Sequence, residues 1–156
     1  MARLVLLLLA IQFNAAESVN EALKVHRSFR NGFSAAYNEH NFDKAVSFYA
    51  SNASLINYRK ISEDPSLQVE ETSEMRGHKD LKVFFENEKR RGAKEVSFWN
   101  GEEEFEADDA IRAWGIIQLE MKTEYREEGR YEILFQKTED TTWLVAEEWT
   151  NITRTN

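Results

Sequence analysis

The chain has 156 residues, no cysteine, and 28 acidic against 20 basic side chains, for a formal charge of −8. That charge argues against nucleic acid and anionic membranes as partners, and the lack of cysteine rules out disulfides, thiol catalysis and thiolate metal sites. Stability must then come from packing, for which the length provides one domain with a real hydrophobic core.

In chain order, residues 1–18 read as a segment outside the fold. Met1-Ala-Arg3 supplies a positive charge, Leu4–Ile11 is an unbroken apolar run, and Ala15-Ala16-Glu17-Ser18 offers small residues for cleavage after Ala16 or Ser18. This is the layout of a secretory signal peptide, too short to span a bilayer permanently. The expected location is therefore extracellular, with residues 19–156 forming a single domain. Two sequons, Asn52-Ala-Ser54 and Asn151-Ile-Thr153, are permissible glycosylation sites in such a protein.

From Val19 to Glu39, Leu23, Phe29, Phe33, Ala36 and Tyr37 recur at helical spacing and predict a long amphipathic helix. Gly32 weakens its middle, and His40-Asn41 ends it. Asp43 stands near a second helix start, with Ala45, Val46, Phe48 and Tyr49 as its apolar residues. Ala53–Tyr58 alternates as a first strand. Lys60–Arg76 is polar and acidic, holds the only proline, Pro65, and reads as a long loop with a short strand near Leu67–Val69. Gly77–Gly92 is the clearest helix: Leu81, Phe84 and Phe85 form its stripe, Lys89-Arg90-Arg91 complement its dipole, and Gly92 caps it. Strands follow at Glu95–Phe105, Ala110–Glu124, Gly129–Lys137 and Trp143–Asn151, with turns at Asp108-Asp109, Glu127–Gly129 and Glu139-Asp140.

Four local motifs sit on these elements. Phe33-Ser-Ala-Ala-Tyr-Asn-Glu-His-Asn-Phe-Asp43 ends the first helix with an aromatic, alanine and asparagine stretch leading to an acidic residue. Ser47-Phe-Tyr-Ala-Ser-Asn-Ala-Ser-Leu55 enters the first strand. Arg76-Gly-His-Lys-Asp-Leu-Lys-Val-Phe-Phe85 opens a glycine-led helix, and Gly129-Arg-Tyr with Trp143-Leu-Val-Ala-Glu-Glu-Trp149 forms a last hairpin. In this order, over nearly all of residues 19–156, they resemble the nuclear transport factor two-like superfamily, in its SnoaL-like and uncharacterised-domain branches. The resemblance implies an α+β fold: a cone-shaped, curved antiparallel sheet packed on three helices from the N-terminal half, with a pocket between them. It does not imply one activity, because the superfamily hosts isomerases, dehydratases, cyclases, transport adaptors and assembly domains.

Ketosteroid-isomerase-like members use a first-helix tyrosine and an aspartate base at the end of the first strand. The matching positions here are Phe33 and Asn57, which can neither donate to an oxyanion nor act as a useful base. SnoaL-like members need only an acidic residue reaching the pocket from a late strand. Alternation along Trp143–Trp149 puts Trp143, Val145, Glu147 and Trp149 on one face and Leu144, Ala146 and Glu148 on the other. By resemblance the second set faces the pocket, so Glu148 is the candidate acid/base, its pKa raised by apolar walls. The plainer reading is a rim glutamate paired with Arg112 or Arg130. Tyr37, Asn57, Tyr58, Trp99 and Trp114 are the candidate ligand-binding residues, suited to a small apolar or aromatic ligand. The face carrying Trp143 and Trp149 is the expected homodimer interface.

His26, His40 and His78 form no ligand pair, no acidic cluster has a calcium-loop pattern, and no phosphate-binding loop occurs, so neither a metal nor a cofactor is expected. The sequence thus reads as a secreted small-ligand-binding or interaction domain with an apolar pocket and no catalytic role. The alternatives are a SnoaL-like or ketosteroid-isomerase-like isomerase or cyclase using Glu148, and a dimeric assembly module.

Overall fold

The computed structural model describes the backbone of residues 2–60, 70–123 and 125–155, and the side chains of 19–60, 70–123 and 125–154. The element order is α1 (Ala2–Asn38), α2 (Phe42–Val46), β1 (Tyr49–Lys60), β2 (Glu70–Arg76), α3 (Gly77–Arg91), β3 (Ala93–Ala107), β4 (Ala110–Met121), β5 (Arg126–Lys137) and β6 (Trp143–Thr155). Three helices and six strands among the described residues form an α+β fold. Among the described residues no helix is long and apolar enough to cross a membrane.

The sheet runs β2-β1-β6-β5-β4-β3, so β2 and β3 are both edges. β1 lies parallel to β6, and every other pair is antiparallel. The expected cone-shaped, curved antiparallel sheet is therefore corrected to a mixed, open one that is neither closed nor strongly curled. Alternation in sequence marks which residues share a face. It carries no record of which strand lies beside which, nor in what direction.

Alternation in β4 is clear: Ile111, Ala113, Gly115, Ile117, Leu119 and Met121 are buried and their neighbours half-buried. The buried row meets Phe29, Phe33 and Tyr37 of α1 and Leu81 and Phe85 of α3, which form one core with Tyr49, Ile133 and Phe135. Rings meet edge to face through it; Phe33, for example, stands 5.2 Å from Phe85 and 6.0 Å from Tyr49. Gly32 costs α1 some propensity for a packing reason. A Cβ there would lie 2.5 Å from the Phe48 ring, so the glycine lets that ring cross the helix. Gly92 caps α3 in the left-handed region (φ 114°), its amide bonding back to the last turn.

Several boundaries differ from expectation: Phe48 and Tyr49, expected in the second helix, lie beyond α2, with Tyr49 opening β1, and two further differences have physical reasons. Residues 70–76, assigned to a loop, form edge strand β2 paired with β1. Only Met75 is buried there, so an edge strand of polar residues left no apolar alternation to read. The expected turn at Glu127–Gly129 lies inside β5, where Glu127 is buried. Its charge looked like a turn signal but is neutralised by arginines from two other elements. The short strand expected near Leu67–Val69 lies outside the described residues.

Candidate functional site

A cavity of about 40 Å³ lies between the sheet and the helices, walled by Phe33 of α1, Phe84 and Phe85 of α3, and Leu55, Ile117 and Leu119 of the sheet. Its polar lining is Tyr37, Asn57, Arg59, Glu88, Glu148 and Thr150. A space of this size admits a few waters, far less than the roughly 300–1,000 Å³ of common ligand pockets.

Glu148 is 6% exposed. The Tyr49 hydroxyl donates to its Oε2. Burial pushes the carboxyl up to about 7, outweighing the opposing pull of that hydrogen bond. Burial also raises the Tyr49 phenol well above its ordinary value, with the Glu148 charge adding to the effect. Beside this pair, the Thr150 hydroxyl donates to Asn57 Oδ1 at 2.8 Å. Asn57 Nδ2 and the Tyr37 hydroxyl are buried with no protein partner among the described residues.

At the other end of the cavity a ring of four charges is assembled from three elements. Arg59 of β1 donates bidentately to Glu88 of α3 at 2.6 and 3.0 Å. Arg91 of α3 donates to Glu88 at 2.7 Å and to both oxygens of Glu127 of β5 at 2.6 and 2.7 Å. Arg59 Nε closes the ring, 3.3 Å from Glu127 Oε2 but out of hydrogen-bond alignment, so it contributes charge without a directed bond. Burial alone would raise the Glu88 carboxyl; the hydrogen bonds from Arg91 and Arg59 overcome it and hold the group below its ordinary value. The ring is neutral overall, which makes its burial tolerable.

A further buried cluster does not line the cavity. His26 of α1 is fully buried, with Nδ1 2.9 Å from Glu103 Oε2 and Nε2 2.8 Å from the Tyr131 hydroxyl. An ionised carboxylate only accepts, so Nδ1 carries the proton and Nε2 accepts from Tyr131. Burial lowers the His26 pKa against the opposing pull of Glu103. The cluster ties α1 to β3 and β5.

The structure brings Glu148, Asn57 and Tyr37 together on the cavity. The other three candidates point away. Tyr58 sits between inward Asn57 and Arg59 and is 40% exposed. Trp114 lies between buried Ala113 and Gly115. Trp99 pairs with outward Ile116, one residue after inward Phe98. All three stand on the sheet face opposite the helices.

The proposed two-tryptophan face is also corrected. In β6 the register jumps, with Leu134 opposite Glu147 but Phe135 opposite Val145. The extra residue, Ala146, is a β-bulge that reverses the alternation. Val145 therefore faces inward, as Glu148, Thr150 and Ile152 do. Trp143 turns to the helix side, where its indole nitrogen donates to Glu21 of α1 at 2.9 Å and its ring meets Phe105. Trp149 remains outward, 5.8 Å from the Tyr58 ring. Glu148 is not paired with Arg112, which binds Glu106 and Glu132, and Arg130 is exposed.

Sequence reasoning missed Tyr49, Arg59, Glu88 and Thr150. Arg59 was accessible in principle, since it shares strand parity with Asn57. The others needed the partner elements in place.

No protein-family model and no curated protein matches the chain. Solved structures do. An NTF2-like protein of unknown function from Shewanella oneidensis MR-1 is 16% identical over 83% of this chain and 98% of its own, with a TM-score of 0.63. A domain of unknown function with a cystatin-like fold from Nostoc punctiforme PCC 73102 is 14% identical over 86% of this chain and 76% of its own, at 0.63. A ketosteroid isomerase-like protein from Erwinia carotovora atroseptica SCRI1043 is 14% identical over 88% of this chain and 98% of its own, at 0.59. The chain shares the fold of these nuclear transport factor two-like, cystatin-like proteins. At such identities the likeness is one of fold.

Proposed function

We propose that the protein binds a small molecule with an apolar body and a hydrogen-bond-accepting head in the cavity between the sheet, α1 and α3. It works outside the cell after residues 1–18 are removed, and it does not transform its ligand. The carrying observation is that Asn57 Nδ2 and the Tyr37 hydroxyl, both on the cavity lining, are buried with no partner among the described residues, while the other polar groups there, Arg59, Glu88, Glu148 and Thr150, are paired with protein groups. Buried donors left free are costly, and a ligand acceptor relieves that cost. A ligand larger than a few atoms has to displace a wall. α3 is that wall, because it carries Phe84, Phe85 and Glu88, and its movement parts Glu88 from Arg59.

The Glu148 pKa of about 7 favours a second reading, an isomerase or cyclase in which Glu148 moves a proton at a carbonyl-adjacent carbon. Native mass spectrometry of the protein from culture medium, against its denatured mass, tests the first reading. A retained small molecule supports it. A bare chain that also fails to enhance anilinonaphthalene sulfonate fluorescence overturns it. With a retained molecule in hand, turnover lost in Glu148→Gln while binding persists would establish the enzyme instead.

A further inference from the structure

The sheet face opposite the helices holds a feature that ligand binding in the cavity leaves unused. Along β6, the residues Trp149, Asn151 and Thr153 alternate with buried Thr150 and Ile152, so all three project from this face. They are the two functional positions of one sequon and the residue two before its asparagine. In the parallel neighbour, Tyr58 stands in register with Asn151. The Tyr58 and Trp149 rings lie 5.8 Å apart at 52°, and a groove of about 440 Å³ runs over them, lined also by Asn151, Thr153, Lys60, Glu70 and Glu71. Asn151 is exposed, and its side-chain amide makes no hydrogen bond to any described residue.

We infer that Asn151 carries an N-linked glycan whose first sugar packs on the Trp149–Tyr58 aromatic platform and covers this part of the sheet. The inference rests on the reading that the chain enters the secretory pathway. A pyranose ring has one face made largely of C–H groups, which gains by covering an indole and a phenol that are otherwise half-exposed. Its hydroxyls meet Lys60, Glu70 and Glu71 around the groove. The groove has room for a sugar ring lying on the platform, whereas the interior cavity, with α3 in place, is too small for one. Asn52, the other sequon asparagine, is also exposed, but Ala50 occupies the position two before it and offers no such seat. A glycan at Asn151 also keeps a second copy off this face.

The experiment is secretion of the full chain, with its own residues 1–18, from an insect or mammalian host. Peptide mapping after amidase release in heavy-oxygen water then marks each occupied asparagine. Asn151 is expected to be occupied in the native chain and in Asn52→Gln, and unmodified in Thr153→Ala. An unmodified Asn151 beside an occupied Asn52 overturns the inference while leaving secretion intact. A chain kept in the cell with residues 1–18 attached overturns the secretion reading and this inference with it. A secreted dimer with Asn151 unmodified assigns the face to a second copy instead. The platform has its own readout. Amidase treatment of the folded native glycoprotein is expected to lower its melting temperature by a few degrees, and that drop should vanish in Tyr58→Ser; an equal drop in both removes the aromatic seat.

Discussion

Glu148→Gln should abolish a loss of stability that the native protein shows between about pH 5 and pH 8. The buried carboxyl titrates at about 7 rather than 4.5, so within this window the folded state keeps a proton that the unfolded chain has released. Fewer protons bound on unfolding means that stability falls as pH rises. The contribution is fully present below the unfolded value and is gone once pH passes the folded one. An acid displaced this far loses about 3 kcal/mol across the window. Glutamine can accept the Tyr49 hydroxyl, but it buries an NH₂ group, which costs about 1–3 kcal/mol independently of pH. The level of stability is therefore uninformative, and the slope carries the test. Urea unfolding of both proteins at pH 5, 6, 7 and 8 gives the difference at each pH, in which common contributions such as that of His26 cancel. The variant should gain about 3 kcal/mol on the native protein from the lowest pH to the highest. A difference constant to within about 0.5 kcal/mol would show that Glu148 is solvated or paired, and the argument from burial would fall.

Three further outcomes follow from the same geometry. His26 is held neutral by burial, so its contribution is complete above its unfolded value near 6.5 and is lost as pH falls below it; His26→Gln should flatten this acid limb of the urea midpoint, and an unchanged limb would count against the cluster. Arg59→Met leaves Glu88 and Glu127 buried with Arg91 alone, and should cost about 3–5 kcal/mol in urea unfolding; a loss under about 1 kcal/mol would mean the ring is hydrated. Gly32→Ala should lower the melting temperature, although alanine is the better helix former by about 1 kcal/mol, because the new methyl meets the Phe48 ring; a rise in melting temperature would refute the packing account.

Much of the architecture was legible in the chain. Leu81, Phe84 and Phe85 recur with the helical period and Gly92 stands at the end, so α3 could be bounded almost to the residue. The short apolar alternations of β4 and β5 were equally plain. Glu148 could be singled out from Glu147 because strand alternation put the two on opposite faces and the family resemblance turned the Glu148 face to the pocket. The aromatics Trp99, Trp114 and Tyr58 could not be assigned a face, because alternation gives two faces without saying which one the helices cover.

Periodicity is a local property, and local properties are what the chain discloses: which segments are helix or strand, and which residues share a face between irregularities. The tertiary structure decided the rest. The Ala146 bulge reversed the parity of β6 and sent Trp143 and Trp149 to opposite sides, and the return of β6 beside β1 made the sheet mixed. The Arg59, Glu88, Arg91 and Glu127 ring joins residues up to 68 positions apart. A lone charged residue in a strand reads as a turn or a solvated edge until its countercharge is in place, since only pairing makes its burial affordable.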